Sequence, residues 1–460
     1  MTPLVSVVIV NYNGRQFLPE CLNALANQTF PRECFEVIVS DNGSTDGSLE
    51  LLETEYSWVK VLKNGRNLGF ASGNNVAFQA AQGEYLIALN NDTAPLPDWI
   101  EKLVQAAEKN PRAGMINGHS RLFYDQIRLT LESDTFTPED DPRQLGVMIS
   151  AIENGALRGI VQYLDGVYGW EEGSGLRYRW TNGTAVLGIP VPPGDEDWTL
   201  DLMLSAPRPT SVPVQVRLKN GEETLGKWEV RGLQPQACQA LIPALTRKLA
   251  EPLVQNAGST LNEDGYGKDR GTFSQNNEMF FEVDHGQYQS DPVFAACGAN
   301  LMLRRAMLEE VGGFDDRFFM YYEDTDLSWR CWLAGWEVRY ASEAIIRHIH
   351  CGTSKEWSPA FVFYTERNRL AMLLKDGSGK QALRNWIRYF GGVAKRTLSL
   401  IRAVARHDPA RFALRRQLKT KYKVVISLLV WFPVLIWQRI TIQRKRTADP
   451  AEINLWQASP

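Results

Sequence analysis

The sequence predicts an α/β fold, a mostly parallel sheet covered by helices, with an antiparallel β-sandwich inserted into it and a basic helical tail. Three observations carry this expectation. Strand and helix signals alternate over the first hundred residues, the hydrophobic period switches to two over residues 126–251, and charge is unevenly spread along the chain. At 460 residues, with 44% hydrophobic and 22% charged, the chain exceeds what one core usually organises, so two or three units are expected.

The first series reads as strands at 6–10, 35–40, 59–62 and 85–89, separated by helices at 17–26, 48–53, 74–81 and 99–108. Such alternation builds a sheet through crossover connections. The glycine-rich dinucleotide fingerprint is missing after the first strand, where Asn11-Tyr12-Asn13-Gly14 stands, so a hydride-transfer enzyme has little support. In the insert, residues 177–180, 198–204, 212–218 and 227–230 alternate apolar with polar side chains between turns such as Asn220-Gly221. Period-two strands at short spacing read as a small sandwich. Its Tyr163, Tyr168, Trp170, Tyr178 and Trp180 suit either core packing or stacking on sugar rings. The α/β signal resumes near Cys297.

The net charge of −3 conceals an asymmetry, because residues 381–446 hold 16 Lys and Arg against one acid, Asp408, leaving 34 basic and 52 acidic residues elsewhere. Amphipathic stretches there precede an apolar run at 424–437, interrupted by Pro433 and shorter than the roughly 20 residues of a spanning helix. Basic groups flanking an apolar run suit the surface of an anionic membrane. They do not suit nucleic acid, and no nucleic-acid partner is expected. A helical hairpin packed on the catalytic part is the alternative. The six cysteines, Cys21, Cys34, Cys238, Cys297, Cys331 and Cys351, are scattered with no CxxC pair, which favours free thiols in a reducing, cytoplasmic compartment. The apolar run at 5–10 is too short for a signal segment and reads as a buried strand.

Two acidic clusters follow apolar strands, Asn90-Asn91-Asp92 after residues 85–89 and Glu323-Asp324-Thr325-Asp326 after residues 314–320. Carboxylates emerging there would sit at a sheet edge, where open α/β sheets bind ligands. Asp92 suits a Mg²⁺ or Mn²⁺ ion holding a diphosphate, since such ions take hard oxygen ligands. His348 and His350, two apart on a strand, would face one side, and a neutral imidazole could complete the metal shell. Asp324 suits a general base, which must lie within hydrogen-bond reach of an acceptor hydroxyl; capping of the following helix would explain one acid there but not three. Asp41 closes the second strand and serves either a nucleotide base or a turn. Asn67 and Asn74, in RNLGFASGNN, belong to a turn leading into a helix and suited to bringing amides near a nucleotide.

The segments VSVVIVNYNG, VIVSDNGSTDGS, NLGFASGNN, LNNDT, CGANLMLRR, VGGFDDRFFMYYEDTDLSWR and HIHCGTS, in this order, resemble a family 2 glycosyltransferase of the rhamnosyltransferase-like kind. The resemblance implies a GT-A fold and inverting, metal-dependent transfer of rhamnose or another hexose from a nucleotide-diphosphate sugar to a glycan or lipid-linked hydroxyl. Carried over motif by motif, it implies Asp324 as base, Asp92 and His348 (less so His350) as ligands of Mg²⁺ or Mn²⁺, and Asp41 on the nucleotide base. It also implies Asn91 on the ribose or diphosphate, with Asn67, Asn74 and Glu323 near the substrates. Where many relatives carry an acidic triplet, this chain has Asn90-Asn91-Asp92, so an amide replaces one potential metal ligand. The expected organisation is a nucleotide-binding half at 1–125, the accessory insert at 126–251, an acceptor-binding half at 252–380 and the basic tail at 381–460. A non-catalytic glycan- or nucleotide-binding protein on the same fold is the alternative.

Overall fold

VSVVIVN forms β1 (Val5–Asn11), which is buried on both faces, as β-branched runs are in sheets covered by helices. In the computed structural model the described residues are 2–156, 159–208, 212–276, 278–350, 358–448 and 453. The last four residues of HIHCGTS, Cys351 among them, lie outside them. After β1 come α1 (Leu18–Ala26), β2 (Phe35–Asp41), α2 (Ser48–Glu55), β3 (Lys60–Lys63), α3 (Gly69–Ala80), β4 (Tyr85–Asn90), β5 (Thr93–Pro95), α4 (Trp99–Lys109) and β6 (Ala113–Leu122). Next follow β7 (Gln126–Ser133), β8 (Met148–Glu153), β9 (Gln162–Val167), β10 (Glu171–Gly173), β11 (Leu176–Pro190), β12 (Trp198–Ala206), β13 (Val214–Asn220), β14 (Glu223–Val230) and β15 (Gly232–Ile242). The chain returns through β16 (Leu253–Asn256), β17 (Ser259–Leu261), β18 (Gly267–Asp269), β19 (Thr272–Gln275) and β20 (Glu278–Val283). It ends with β21 (Asn300–Arg304), α5 (Arg305–Val311), α6 (Glu323–Leu333), β22 (Glu337–His348), α7 (Pro359–Lys375), α8 (Gly379–Ala405) and α9 (Ala410–Lys445).

Two units result, one comprising Met1–Ser120, Asn256–Arg270 and Gly286–Pro460, the other Arg121–Gln255 and Gly271–His285. The second unit thus takes in β19 and β20, which the sequence reading assigns to the acceptor-binding half. Nothing in the period of 271–285 distinguishes a strand pair of one unit from that of the other.

In the first unit, β3, β2, β1 and β4 are parallel neighbours in that order, and β21 runs antiparallel between β4 and β6. The register sets Asn11 opposite Asp41, and Val10 opposite Asn90. The carboxyl ends of β1, β2 and β4 therefore line up, and the order reverses beside β1, which is where such sheets open a crevice. Helices cover the sheet through apolar stripes. α1 buries Leu18, Cys21, Leu22 and Leu25 and α4 buries Trp99, Ile100, Leu103, Val104 and Ala107, the spacing of one helical face.

In the second unit β11 is long enough to serve two sets of strands. Arg179 and Trp180 pair with β8, while residues 184–190 pair with β7. The sets β14-β13-β7 and β8-β12-β15 enclose one apolar core that includes Leu129, Leu187, Leu200, Leu202, Val216 and Ala240. Trp180 packs with Leu145 and Met148. Trp170 stands 38% exposed, but Arg177 and Arg179 lie 4.5 and 4.4 Å from its ring centre.

α9 differs from the sequence expectation. It is 36 residues long, with Pro433 inside it, and an 18-residue window reaches a mean hydropathy of 1.8 with 11% of it buried. By length and composition it is long and apolar enough to cross a membrane. Helix continues through the basic residues on both sides of the apolar run, and these supply the length that the apolar residues alone lack. Within the first unit it packs against the end of α7, where Arg439 Nη1 donates to Leu374 O and Gly377 O, both at 2.7 Å.

Candidate active site

A cleft of about 490 Å³ opens at the carboxyl ends of the parallel strands in the first unit. Its lining includes Tyr12, Asn42, Asn67, Asn91, Asp324 and His348. Glu323, Cys297, Gly298 and Phe319 also face it.

The base candidate is held by backbone. Asp324 Oδ2 accepts from the Gly298 amide at 2.9 Å and Oδ1 accepts from the Thr325 amide at 2.6 Å, so the carboxylate is fixed at the first turn of α6. A Cβ on Gly298 would lie 3.0 Å from the Phe70 ring and 3.6 Å from Asp324 Oδ2, so this wall is bare main chain. Burial raises the Asp324 carboxyl above its ordinary range, against the two amide hydrogen bonds that favour the charged form. Next to it, Glu323 is buried and its Oε2 has no hydrogen-bond partner among the described residues. Burial first, and the Asp324 charge second, push Glu323 well above the usual carboxylate range. Burial thus acts on both adjacent carboxyls, and it lifts Glu323 further than Asp324.

The corner after β4 meets the end of β22. Asp92 Oδ1 lies 3.2 Å from His348 Nε2, and Asn90 Nδ2 lies 3.3 Å from the same nitrogen. Asp92 is buried, and apart from that approach its Oδ1 has no hydrogen-bond partner among the described residues. A buried carboxylate oxygen facing an imidazole nitrogen fits a divalent cation as two of its ligands. The pair fits only as part of a shell, since among the described residues no group of three or more His, Cys, Asp and Glu could hold a metal. Asp92 itself does not line the cleft; His348 does.

The remaining candidates divide. Asn91 lines the cleft and donates to Asn11 Oδ1 at 2.8 Å. Asn67 lines it too, with Oδ1 accepting from the Gly69 amide at 2.9 Å. Asp41 is fully buried and does not face the cleft. Its Oδ1 accepts from the amides of Gly43 and Ser44, and its Oδ2 from Asn11 Nδ2 and Ser44 Oγ, so the turn uses this carboxylate fully. Asn74, on α3, donates to Phe70 O at 2.9 Å and is likewise away from the lining. His350 lies in a turn two residues past the end of β22, not on the strand with His348 as its spacing suggests, and is not among the lining residues either. Tyr12, Asn42, Phe70 and Cys297 also line the cleft; each lies within one of the segments quoted above, but none has a residue type that marks it for a role there. Burial holds the Cys297 thiol high, as for a packing cysteine.

Among curated proteins, an "Uncharacterized glycosyltransferase" of Haemophilus influenzae is 38% identical over 111 residues, 24% of this chain and 34% of that protein. A poly(ribitol-phosphate) beta-glucosyltransferase of Bacillus spizizenii is 38% identical over 92 residues, 19% of this chain and 14% of that protein. The chain therefore spans about a third or less of the length of these relatives. Of solved structures, a mannosyltransferase from Pyrobaculum calidifontis, in complex with GDP-Man and Mn²⁺, aligns over 100% of this chain and 89% of that one at 13% identity and a TM-score of 0.39. The family descriptions "Glycosyl transferase family 2" and "Glycosyl transferase family group 2" match residues 6–156 and 253–448. With the two matches together spanning most of the sequence, the chain belongs to family 2 of the glycosyltransferases.

Proposed function

We propose that this protein is an inverting glycosyltransferase that moves a hexose, rhamnose or another, from a nucleoside-diphosphate donor to a hydroxyl of a glycan or lipid-linked acceptor. The observation that carries the reading is the Asp324 carboxylate, oriented by two backbone amides inside a cleft that the Asn91 and His348 side chains also line. Asp324 takes the acceptor proton, the freed oxygen bonds to the anomeric carbon, and the bond to the diphosphate breaks on the opposite face, so the configuration inverts. Raised affinity of this carboxylate for a proton matches it to general-base work. Asp92 and His348 would hold a Mg²⁺ or Mn²⁺ ion, which when bound neutralises charge on the departing diphosphate. Asn91 would contact the ribose or diphosphate, with Asn67 and Glu323 nearby. On this reading Asp41 acts through the turn that it braces and Asn74 through the first turns of α3.

The tail supports placement on the cytoplasmic face of an anionic membrane. Val430 and Trp437 on α9 are 70% and 65% exposed, and Ile387 and Ile401 on α8 are also exposed, beside the basic residues of 411–423 and 439–446. Apolar side chains with basic neighbours gain from an anionic interface. A thermal-shift screen of nucleoside diphosphates with and without Mn²⁺ tests the donor site, because a ligand of the native state alone raises the midpoint. No shift with any nucleotide would remove the donor reading and favour a glycan-binding protein on the same fold.

A further inference from the structure

Five consecutive carbonyls in the stretch that leads into α6 are each held by a named donor. Arg367 Nη2 donates to Arg317 O and Phe318 O, both at 3.1 Å. Asn368 Nδ2 lies 2.9, 3.0 and 2.8 Å from Phe318 O, Met320 O and Tyr321 O. From the other side, the amides of Phe70 and Ala71 at the start of α3 reach Phe319 O at 2.6 and 3.2 Å. Between these bonds the backbone is left-handed at Phe319, Tyr321 and Tyr322, with φ of 65, 68 and 70°.

L side chains avoid that region, and residues persist there only where the surroundings over-determine them. Here the surroundings are identifiable. Asn368 is fully buried, and its Oδ1 accepts from Arg367 Nε at 2.9 Å, which turns the amide nitrogen toward the loop. Gly69 must be glycine for the loop to close down on α3, because its φ is +79° and a Cβ would meet Phe319 O at 2.4 Å. The strained loop carries Phe319, Met320 and Tyr321 into the cleft wall, and one residue after Tyr322 the helix bearing Glu323 and Asp324 begins. Relaxation of these dihedrals would move the carboxylate away from the Gly298 amide.

Arg367 also reaches the tail. Its guanidinium lies 4.3 Å from the ring centre of Trp431 on α9, and 4.8 and 5.0 Å from those of Phe363 and Tyr364 on its own helix. We infer that Asn368 and Arg367 are positioning residues, which hold the left-handed 319–322 loop in the shape that aims Asp324, and that Trp431 makes the seating of the tail helix part of this clamp. The inference rests on the reading of Asp324 as the base. Neither α7 residue touches the reacting atoms in it.

The test uses full-length Asn368→Asp, Trp431→Ala and Trp431→Phe. Hydrogen exchange of the loop amides is read first, then hydrolysis by water of UDP-glucose, UDP-N-acetylglucosamine, GDP-mannose and dTDP-rhamnose with Mn²⁺. Exchange at 319–322 should quicken at least tenfold in Asn368→Asp and Trp431→Ala, with β1 and β4 unchanged, and Trp431→Phe should restore it. For whichever donor the wild type hydrolyses, kcat should fall at least thirtyfold in Asn368→Asp, with KM within threefold and the acidic limb of the pH profile displaced. If Asn368→Asp does not fold, the two Trp431 variants make the same comparison. Unchanged loop exchange, or kcat within threefold while Asp324→Asn is inactive, overturns the clamp. Full hydrolysis by Asp324→Asn would instead sink the base assignment.

Discussion

Asp92 Oδ1 and His348 Nε2 meet at 3.2 Å because the antiparallel pairing of β5 with β22 sets His348 opposite Thr93, one residue past the carboxylate. Main chain seals the corner, as the Ile349 amide donates to Asp92 O at 3.0 Å. Removing either side chain should act on metal-dependent nucleotide binding before anything else. Asp92→Ala should abolish, and His348→Ala weaken about tenfold or more, the Mn²⁺ dependence of nucleotide affinity in titration calorimetry. Wild-type activity that survives a chelator would end the metal assignment.

Asp324→Asn should keep the fold and donor binding while lowering transfer by roughly 10²–10⁴-fold, the usual worth of a positioned base. The pH dependence follows from the same carboxyl. A base works deprotonated, and burial raises this one above the ordinary carboxylate value near 3.9. Activity should therefore fall as pH drops through a range above that value. An acidic limb at or below it would contradict the burial argument.

Lys375 is buried and bridges Asp315 at 2.8 Å and Asp326 at 2.6 Å, while Arg330 pairs with Asp326 at 2.9 Å and Gln438 of α9 donates to Asp315 at 3.0 Å. Lys375→Met leaves two buried acids short of a partner, which should cost about 3–5 kcal/mol in a denaturant melt. Despite an opposing burial penalty, the charge of Lys375 and its hydrogen bond hold the Asp315 carboxyl below the usual range. Its stabilisation is complete above the unfolded value near 3.9 and is lost as pH falls toward the folded one. Wild-type stability should drop there more steeply than that of Asp315→Asn.

Membrane docking should depend on exposed side chains that the fold does not need. Val430→Glu with Trp437→Glu should leave the melting temperature within a few degrees and abolish flotation with vesicles containing phosphatidylserine at low salt. Salt should weaken the wild type in the same assay, since each basic residue near the surface contributes about 1 kcal/mol. Flotation by the double variant equal to wild type would favour a packed hairpin without lipid contact.

Most of the parallel sheet is legible in the sequence, because β1, β2 and β4 are apolar runs whose ends carry the polar motifs, and period-two patterning reveals β12 and β13. The acidic clusters are legible for the same reason. Pairing is not. Nothing local announces that 271–285 joins the second unit, nor that Asp41 is consumed by the amides of its own turn, since a free and a satisfied carboxylate look alike in a string of letters. The ion network around Lys375 escapes too. Its members come from α6, α7, α9 and the segment between α5 and α6, and a lysine near the end of a helix ordinarily faces water.

The closed hydrogen-bond set of Asp41 has a consequence for how a nucleotide would arrive. A loop whose carboxylate already binds two amides, a hydroxyl and an amide side chain is in its final shape before any ligand enters. Little ordering entropy remains to be lost at that wall, and preorganisation of this kind favours affinity by lowering the cost of association.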